Sequence, residues 1–220
     1  MCVILIIVGL VAGLLSGSVG FGGGMILLPV ITYFYGVEVA VPVSTVAQLL
    51  SNLSRVVIGW KEISWKAVGW FLLLALPFTT LGAFGFAKVP KAPMTVVLCF
   101  FLIVFAIMKL MGKMKLPHRP STMIVGGGVF LSIELAPVSY IASEAAAAAA
   151  MHIVKALVYG KLNLMHVNIF LSGIGIGCAM MIGNFIAMRC IRNVNKKLYQ
   201  KIVAGIMIAV SLWLIISTVG

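Results

Sequence analysis

Two cationic side chains, Arg55 and Lys155, lie 100 positions apart near the ends of hydrophobic segments that resemble each other. The first segment reads Asn52-Leu-Ser-Arg55-Val-Val-Ile-Gly-Trp60-Lys61, and the second reads His152-Ile-Val-Lys155-Ala-Leu-Val-Tyr-Gly160-Lys161. A charge in hydrocarbon costs several kcal/mol, so an intramembrane cation is by default a functional-site hypothesis. The matching positions predict a duplicated membrane protein whose centre handles an anion.

Composition supports a membrane location. The 220 residues are 63% hydrophobic and 9% charged, and the mean hydropathy is +1.22. Because a membrane helix needs about 20 mostly apolar residues, little room remains for anything besides spans and short loops. The net charge of +12 falls mostly in those loops, where topology signals lie, which argues against nucleic-acid binding. We predict a multi-pass protein of a prokaryotic plasma membrane.

The hydrophobic segments predict an all-α fold of two halves. They cover Val3–Leu15, Gly24–Tyr35, Val39–Trp60, Ala67–Ala87, Ala92–Met111, Met123–Ser143 (interrupted), Met151–Tyr159, Leu164–Met188 and Leu198–Val219. The basic connector Lys109–Arg119 marks the midpoint, so residues 1–115 form the first membrane repeat and residues 116–220 the second, within one integral membrane domain. Each repeat is expected to hold a broken re-entrant helical hairpin followed by three transmembrane helices.

Loop charges favour inverted repeats. Colinear similarity extends beyond the opening pair, because Gly82–Lys88 aligns with Gly183–Arg189. An odd number of net crossings in each half places eleven loop cations on one side and three on the other, whereas an even number splits them seven to seven. The positive-inside rule selects the first arrangement and makes the eleven-charge side cytoplasmic. This count requires Val3–Tyr35 to enter and leave on one side, and arms of 13 residues are too short to cross.

The glycine-rich stretch is the most specific motif. Six glycines occur between Gly13 and Gly24, and such a cluster can break a helix at membrane depth. The half-helix that follows would present free backbone N–H groups and a favourable dipole to an anion. The alternative is close packing of small residues between helices. The substrate-binding candidates in this stretch are Ser16, Ser18, Gly20, Gly22, Gly23 and Gly24.

A polar helix face supplies the remaining candidates. Residues spaced by three and four positions share one face of a helix, and a polar face in a span points to the protein interior or a water cavity. Arg55 has two interpretations: it contacts the substrate or a gate, or it reaches the cytoplasmic interface near Trp60. A carboxylate at Glu134 or Glu144 could carry a coupling proton or pair with Lys155. The candidates are Ser44, Thr45, Gln48, Asn52 and Arg55 on the first cation-bearing span, and His152 and Lys155 on the second.

The glycine pattern also carries a family resemblance. Gly9-x3-Gly13-x3-Gly17-x2-Gly20-x-Gly22-Gly23-Gly24-x4-Pro29, followed by Ser44-Thr45 in the next span, resembles the sulfite exporter TauE/SafE family. That resemblance implies a transporter of sulfite, sulfonates and related organic anions with two similar halves. The second half departs from the family pattern, because it retains only Gly126-Gly127-Gly128 and Pro137 before the run Ala145–Ala150.

Together these observations predict a transporter of small organosulfur or related anions that works by alternating access. Proton coupling and downhill export both remain open. The alternatives are an anion channel and an intramembrane enzyme; the latter lacks a discernible nucleophile–base pair or metal spacing in the sequence. No cofactor or metal is expected, and the partners are a small anion and the lipid bilayer. A homodimer is one option for the oligomeric state. With inverted topology, Arg55 and Lys155 would guard opposite sides of a central site.

Overall fold

The computed structural model describes residues 3–19, 23–88 and 137–190, with positions 90, 96, 97, 100, 103, 104 and 107 between them. The elements are helices α1 (Val3–Val19), α2 (Gly23–Tyr35) and α3 (Val37–Ile58), a 3-10 turn (Trp60–Glu62), and helices α4 (Trp65–Phe86), α5 (Pro137–Lys161) and α6 (Val167–Cys190). Helices α3 to α6 are each long and apolar enough to cross a membrane. The predicted all-α, multi-pass architecture is confirmed.

Helices α1 and α2 form an antiparallel pair. Leu5, near the start of α1, shares a core cluster with Ile31 in the second half of α2. At the other end, Gly23 lies against the backbone carbonyl of Ala12. The 13 residues of α2 extend about 20 Å, less than a hydrocarbon core of roughly 30 Å. Helix α1 continues to Val19, past the predicted end at Leu15, and the Ser18 hydroxyl donates to the Leu14 carbonyl within this extra turn.

The spans run in two opposite directions. One core cluster joins Val56 of α3, Ala67 of α4 and Ala142 of α5 at one end of the molecule. Another joins Ala83 of α4 and Val158 of α5, with Val41 of α3 packed against it, at the other end. Helices α4 and α5 therefore run parallel to each other and antiparallel to α3.

Helix α6 runs parallel to both α1 and α3. Successive α1 glycines, Gly9, Gly13 and Gly17, approach Ile176, Met180 and Asn184 of α6 in the same order. A Cβ atom on Gly13 would overlap the Met180 carbonyl oxygen, and one on Gly17 would lie 2.9 Å from the Asn184 Cα. Helix α6 likewise presents Gly173 and Gly177 to Val46 and Leu50 of α3. The α1 glycines thus serve the close helix packing that was the alternative interpretation of the motif.

The alanine run lies inside one continuous helix, α5, which joins the end of the predicted segment Met123–Ser143 to the predicted segment Met151–Tyr159. Helix α5 passes through all of Ala145–Ala150, because alanine has the highest helix propensity. Several of these methyl groups are buried against neighbouring helices. The approach is close, since a Cβ atom on Gly59 would lie 2.5 Å from the Ala142 Cβ. Small side chains therefore bring α5 close to the end of α3. The predicted segments Ala92–Met111 and Leu198–Val219 lie largely or wholly outside the described residues.

Candidate functional site

Arg55 lies in the last turn of α3 at the centre of a buried polar cluster. Its side chain is 3% exposed. Its Nη1 atom donates to the Glu144 carboxylate at 3.0 Å and to the Ser16 backbone carbonyl at 3.4 Å. Its Nη2 atom donates to the side-chain oxygen of Asn52. One guanidinium thus joins α1, α3 and α5.

The position of Arg55 follows from the packing of α3. The polar residues Gln48, Ser51, Asn52 and Arg55 share one face, as their spacing predicts, and neighbouring helices cover α3 on several sides. Ser51, Asn52 and Arg55 are all buried. The interpretation in which Arg55 reaches the membrane interface does not fit this burial. The guanidinium is instead held inside the protein, where a cation requires anionic or polar partners.

Glu144 supplies the anionic partner. Its side chain is 23% exposed, so it is more accessible than the arginine that it contacts. The expected alternative of a pair between Glu144 and Lys155 is not what the structure contains. Lys155 lies eleven residues further along α5, about 16 Å at 1.5 Å per residue. The antiparallel packing of α3 and α5 brings Glu144, and not Lys155, to the level of Arg55.

Asn184 fastens α6 to α3 next to this cluster. Its Nδ2 atom lies 2.9 Å from the Ser51 carbonyl, the Ser51 hydroxyl and the Ser54 hydroxyl. The side chain is fully buried, and Gly17 of α1 packs against its backbone. Its contacts are those of a residue that packs α6 against α3.

The glycine-rich end of the hairpin reaches the middle of α3. A Cβ atom on Gly24 would collide with the side-chain amide of Gln48, and one on Gly23 would lie 3.0 Å from the Ser16 Cβ. Ser16 is buried, and its carbonyl meets Arg55. The structure therefore brings these predicted residues of the hairpin and of α3 into contact. Gly20 and Gly22 lie outside the described residues.

Other predicted hydroxyl groups bond within their own helices. Ser18 donates to the Leu14 carbonyl at 2.7 Å, and Thr45 donates to the Val41 carbonyl at 2.8 Å. Ser44 is 2% exposed, and its Oγ has no hydrogen-bond partner among the described residues. A buried hydroxyl without a partner is costly, so Ser44 is available to water or a ligand.

His152 is another buried group with an unused hydrogen-bonding atom. It lies on α5, is 7% exposed, and its Nδ1 atom has no partner within the described part of the chain. The charges of Arg55 and Lys155 both act on its ring. Along α5, His152 lies between Glu144, which contacts Arg55, and Lys155.

Lys155 occupies a different environment from Arg55. It lines an open groove of about 480 Å³ between α4 and α5. The groove is bounded by Ala75, Phe78, Thr79, Gly82, Ala83, Phe86, Met151 and Tyr159. None of these residues belongs to the glycine-rich hairpin. The two cations thus lie toward opposite ends of the helix pair, and among the described residues Arg55 is the one of the two that meets the hairpin.

A second cavity opens at the end of α3 remote from Arg55. It has a volume of about 380 Å³ and is lined by Leu5, Ile31, Tyr35, Val39, Val43, Asn168, Ile169 and Ser172. From Val43 to Arg55 the distance along α3 is about 18 Å. The cavity therefore enters from one end of the molecule, while the Arg55–Glu144 ion pair occupies the other.

Comparisons with known proteins indicate the family. A family model described as "Sulfite exporter TauE/SafE" matches residues 5–214. A search of curated proteins and a search of solved structures each found no match. Among the described residues, no group of three or more His, Cys, Asp or Glu side chains could hold a metal ion.

Proposed function

Because the chain belongs to the sulfite exporter TauE/SafE family, we propose that it moves small organosulfur anions, such as sulfite and sulfonates, through the membrane by alternating access. The observation that carries this proposal within the molecule is the buried guanidinium of Arg55 beside the hairpin. Members of a transporter family are not expected to be enzymes, which agrees with the sequence prediction. The family indicates a membrane exporter of sulfite or related anions, and the specific substrate and alternating access are what we propose.

Arg55 suits an oxyanion for chemical reasons. A guanidinium is always charged and presents a planar fork of N–H groups, which matches two oxygens of a sulfite or sulfonate group. Asn52 and the Ser16 carbonyl hold the fork in one orientation. Gln48 and the first turn of α2 at Gly23 and Gly24 lie next to each other and would add neutral donors.

Alternating access is supported by the opposed directions of matching helices. The two cation-bearing helices, α3 and α5, run antiparallel. The next helices of each half, α4 and α6, also run in opposite directions, because α4 is antiparallel to α3 and α6 is parallel to it. Inverted repeats have this relation, and they permit rocking of one half against the other around a central site. The division into repeats at 1–115 and 116–220 is part of this proposal.

The two ends of the molecule support a gate at each side of the site. The Arg55–Glu144 ion pair joins α3 to α5 at one end, and the cavity near Val43 is open at the other. Passage toward the Arg55 end requires α3 and α5 to separate there. Lys155 would contribute to the gate nearer the other end of α5, and His152 lies between it and the Arg55 cluster.

Proteoliposome transport tests this proposal against an anion channel. The purified protein is reconstituted, and uptake of radiolabelled sulfite is measured with and without unlabelled sulfite inside the vesicles. A transporter gives saturable uptake and counterflow, whereas a channel gives poorly saturable flux without counterflow. Protein-free liposomes provide the blank. Unaltered anion binding in the Arg55→Ala/Lys155→Ala double variant would overturn the role of the paired cations.

A further inference from the structure

We propose that Glu144 carries a proton that crosses the membrane together with the anion. This inference rests on the proposed anion transport and adds the coupling ion and its binding residue. Glu144 and an oxyanion substrate require the same partner, the guanidinium of Arg55. One must therefore leave, or lose its charge, when the other binds.

The contacts of Arg55 indicate which of its acceptors a substrate anion would displace. The Ser16 acceptor is a backbone carbonyl, and Asn52 lies one turn away on the same helix as Arg55. Glu144 is the charged acceptor and belongs to a different helix, α5. An oxyanion reproduces the charge and the acceptor geometry of a carboxylate, so it substitutes most directly for Glu144.

The accessibility of the two side chains supports proton exchange at Glu144. Its side chain is 23% exposed, whereas that of Arg55 is 3% exposed. The carboxylate is thus the more accessible member of the ion pair. The carboxylate can take a proton from hydronium, leaving water, without prior opening of the cluster around Arg55.

Charge balance then links the proton to the anion. One guanidinium beside both a carboxylate and a substrate anion leaves a buried net negative charge, which is costly in a low-dielectric interior. Protonation of Glu144 leaves one positive and one negative charge. After the substrate leaves on the other side, Glu144 returns its proton to water there and pairs again with Arg55. The cycle moves one proton with each monovalent anion in the same direction, and export proceeds when the outward gradient of the anion exceeds the inward gradient of protons.

The surroundings of Glu144 contain few competing titratable groups. Across the helix interface it faces Arg55 of α3, and Tyr140 lies one turn away on α5, within electrostatic range of both. His152 lies about two turns after Glu144 on α5, within electrostatic range of Arg55. The ionisable side chains in the α3–α4 connection and at the start of α4 are exposed: Lys61, Glu62 and Lys66. In the described part of the chain, Glu144 is the carboxyl group that contacts Arg55.

The first test measures proton uptake on anion binding in a weakly buffered detergent solution with a pH dye. Methanesulfonate is the probe, because it is the anion of a strong acid and does not titrate near neutral pH. The wild-type protein is expected to take up about one proton for each anion bound. Glu144→Gln is expected to bind methanesulfonate with no proton uptake and little dependence on pH. Glu62→Gln, the same substitution at an exposed position, is expected to behave as wild type.

The second test measures coupled transport. An acid-outside gradient should accelerate sulfonate uptake into wild-type proteoliposomes, and Glu144→Gln should keep counterflow but lose the acceleration. Proton uptake or gradient dependence retained in Glu144→Gln would overturn the assignment. If that variant does not fold, the absence of proton uptake by the wild-type protein on binding would overturn it. A wild-type protein without saturable anion transport would instead overturn the proposed function itself.

Discussion

A double-mutant cycle on Arg55 and Glu144 gives the sharpest test of the polar cluster. The facing atoms lie 3.0 Å apart, and two unit charges at that distance attract by about 5.5 kcal/mol at an effective dielectric constant of about 20. Partial exposure of Glu144 and the additional acceptors on Arg55 reduce this value. We expect a coupling free energy of about 2–3 kcal/mol, near the upper end for residues in contact.

Each single substitution leaves one charge of the pair without its partner and should lower the free energy of unfolding. Arg55→Ala leaves a carboxylate without its cation and should lower the free energy of unfolding by about 3–5 kcal/mol. Glu144→Ala leaves the more deeply buried guanidinium without its charged acceptor and should have a cost of similar size. The double variant Arg55→Ala/Glu144→Ala should be more stable than the sum of the two effects predicts, because neither charge remains unpaired.

The assay is reversible unfolding in mixed micelles with increasing sodium dodecyl sulfate, followed by tryptophan fluorescence. The four proteins are wild type, the two single variants and the double variant. Arg55→Ala combined with Glu62→Ala serves as the control, since Glu62 is an exposed carboxylate outside the cluster, and its effect should add to that of Arg55→Ala. A coupling within about 0.5 kcal/mol of zero for Arg55 and Glu144 would refute the buried ion pair.

Two further predictions concern packing and topology. Gly13→Ala places a methyl group against a carbonyl of α6 and should lower the free energy of unfolding by about 1–3 kcal/mol in the same assay. Gly69→Ala, at a helical position with open space, should raise it slightly; equal losses at both sites would contradict the close α1–α6 contact. In a cysteine-free background, a membrane-impermeant maleimide should label His166→Cys on intact cells and Glu62→Cys only after permeabilisation. Labelling of both from one side would contradict the inverted topology.

Much of the Arg55 cluster was predictable from sequence because it depends on short-range periodicity. Asn52 and Arg55 are three residues apart on one helix, so they must share a face. The glycine-rich motif predicted a turn between two short helices and placed Ser16 beside that turn. Composition then required a buried cation to find polar partners. These local rules do not depend on knowledge of the whole fold.

The partner of Arg55 was harder to predict, because it depends on how two distant helices are aligned. Glu144 and Lys155 lie on the same helix, and only the antiparallel packing of α3 and α5 determines which of them meets Arg55. The loop charges already implied this orientation, so the signal was present in the sequence. The hydrophobic segments obscured it, because Met123–Ser143 and Met151–Tyr159 end on either side of Glu144 and so do not show that Glu144 and Lys155 share one helix.

The glycines of the motif make two different sets of contacts, which composition alone does not predict. Gly13 and Gly17 contact α6, whereas Gly23 and Gly24 lie where α2 begins and face Ser16 and Gln48. The packing glycines have a consequence for chemistry, because they allow α1 to approach closely enough for the Ser16 carbonyl to reach Arg55 at 3.4 Å. A larger side chain at Gly17 would displace α1 from α6 and withdraw that acceptor. The close packing of α1 against α6 therefore positions a group of the proposed anion site.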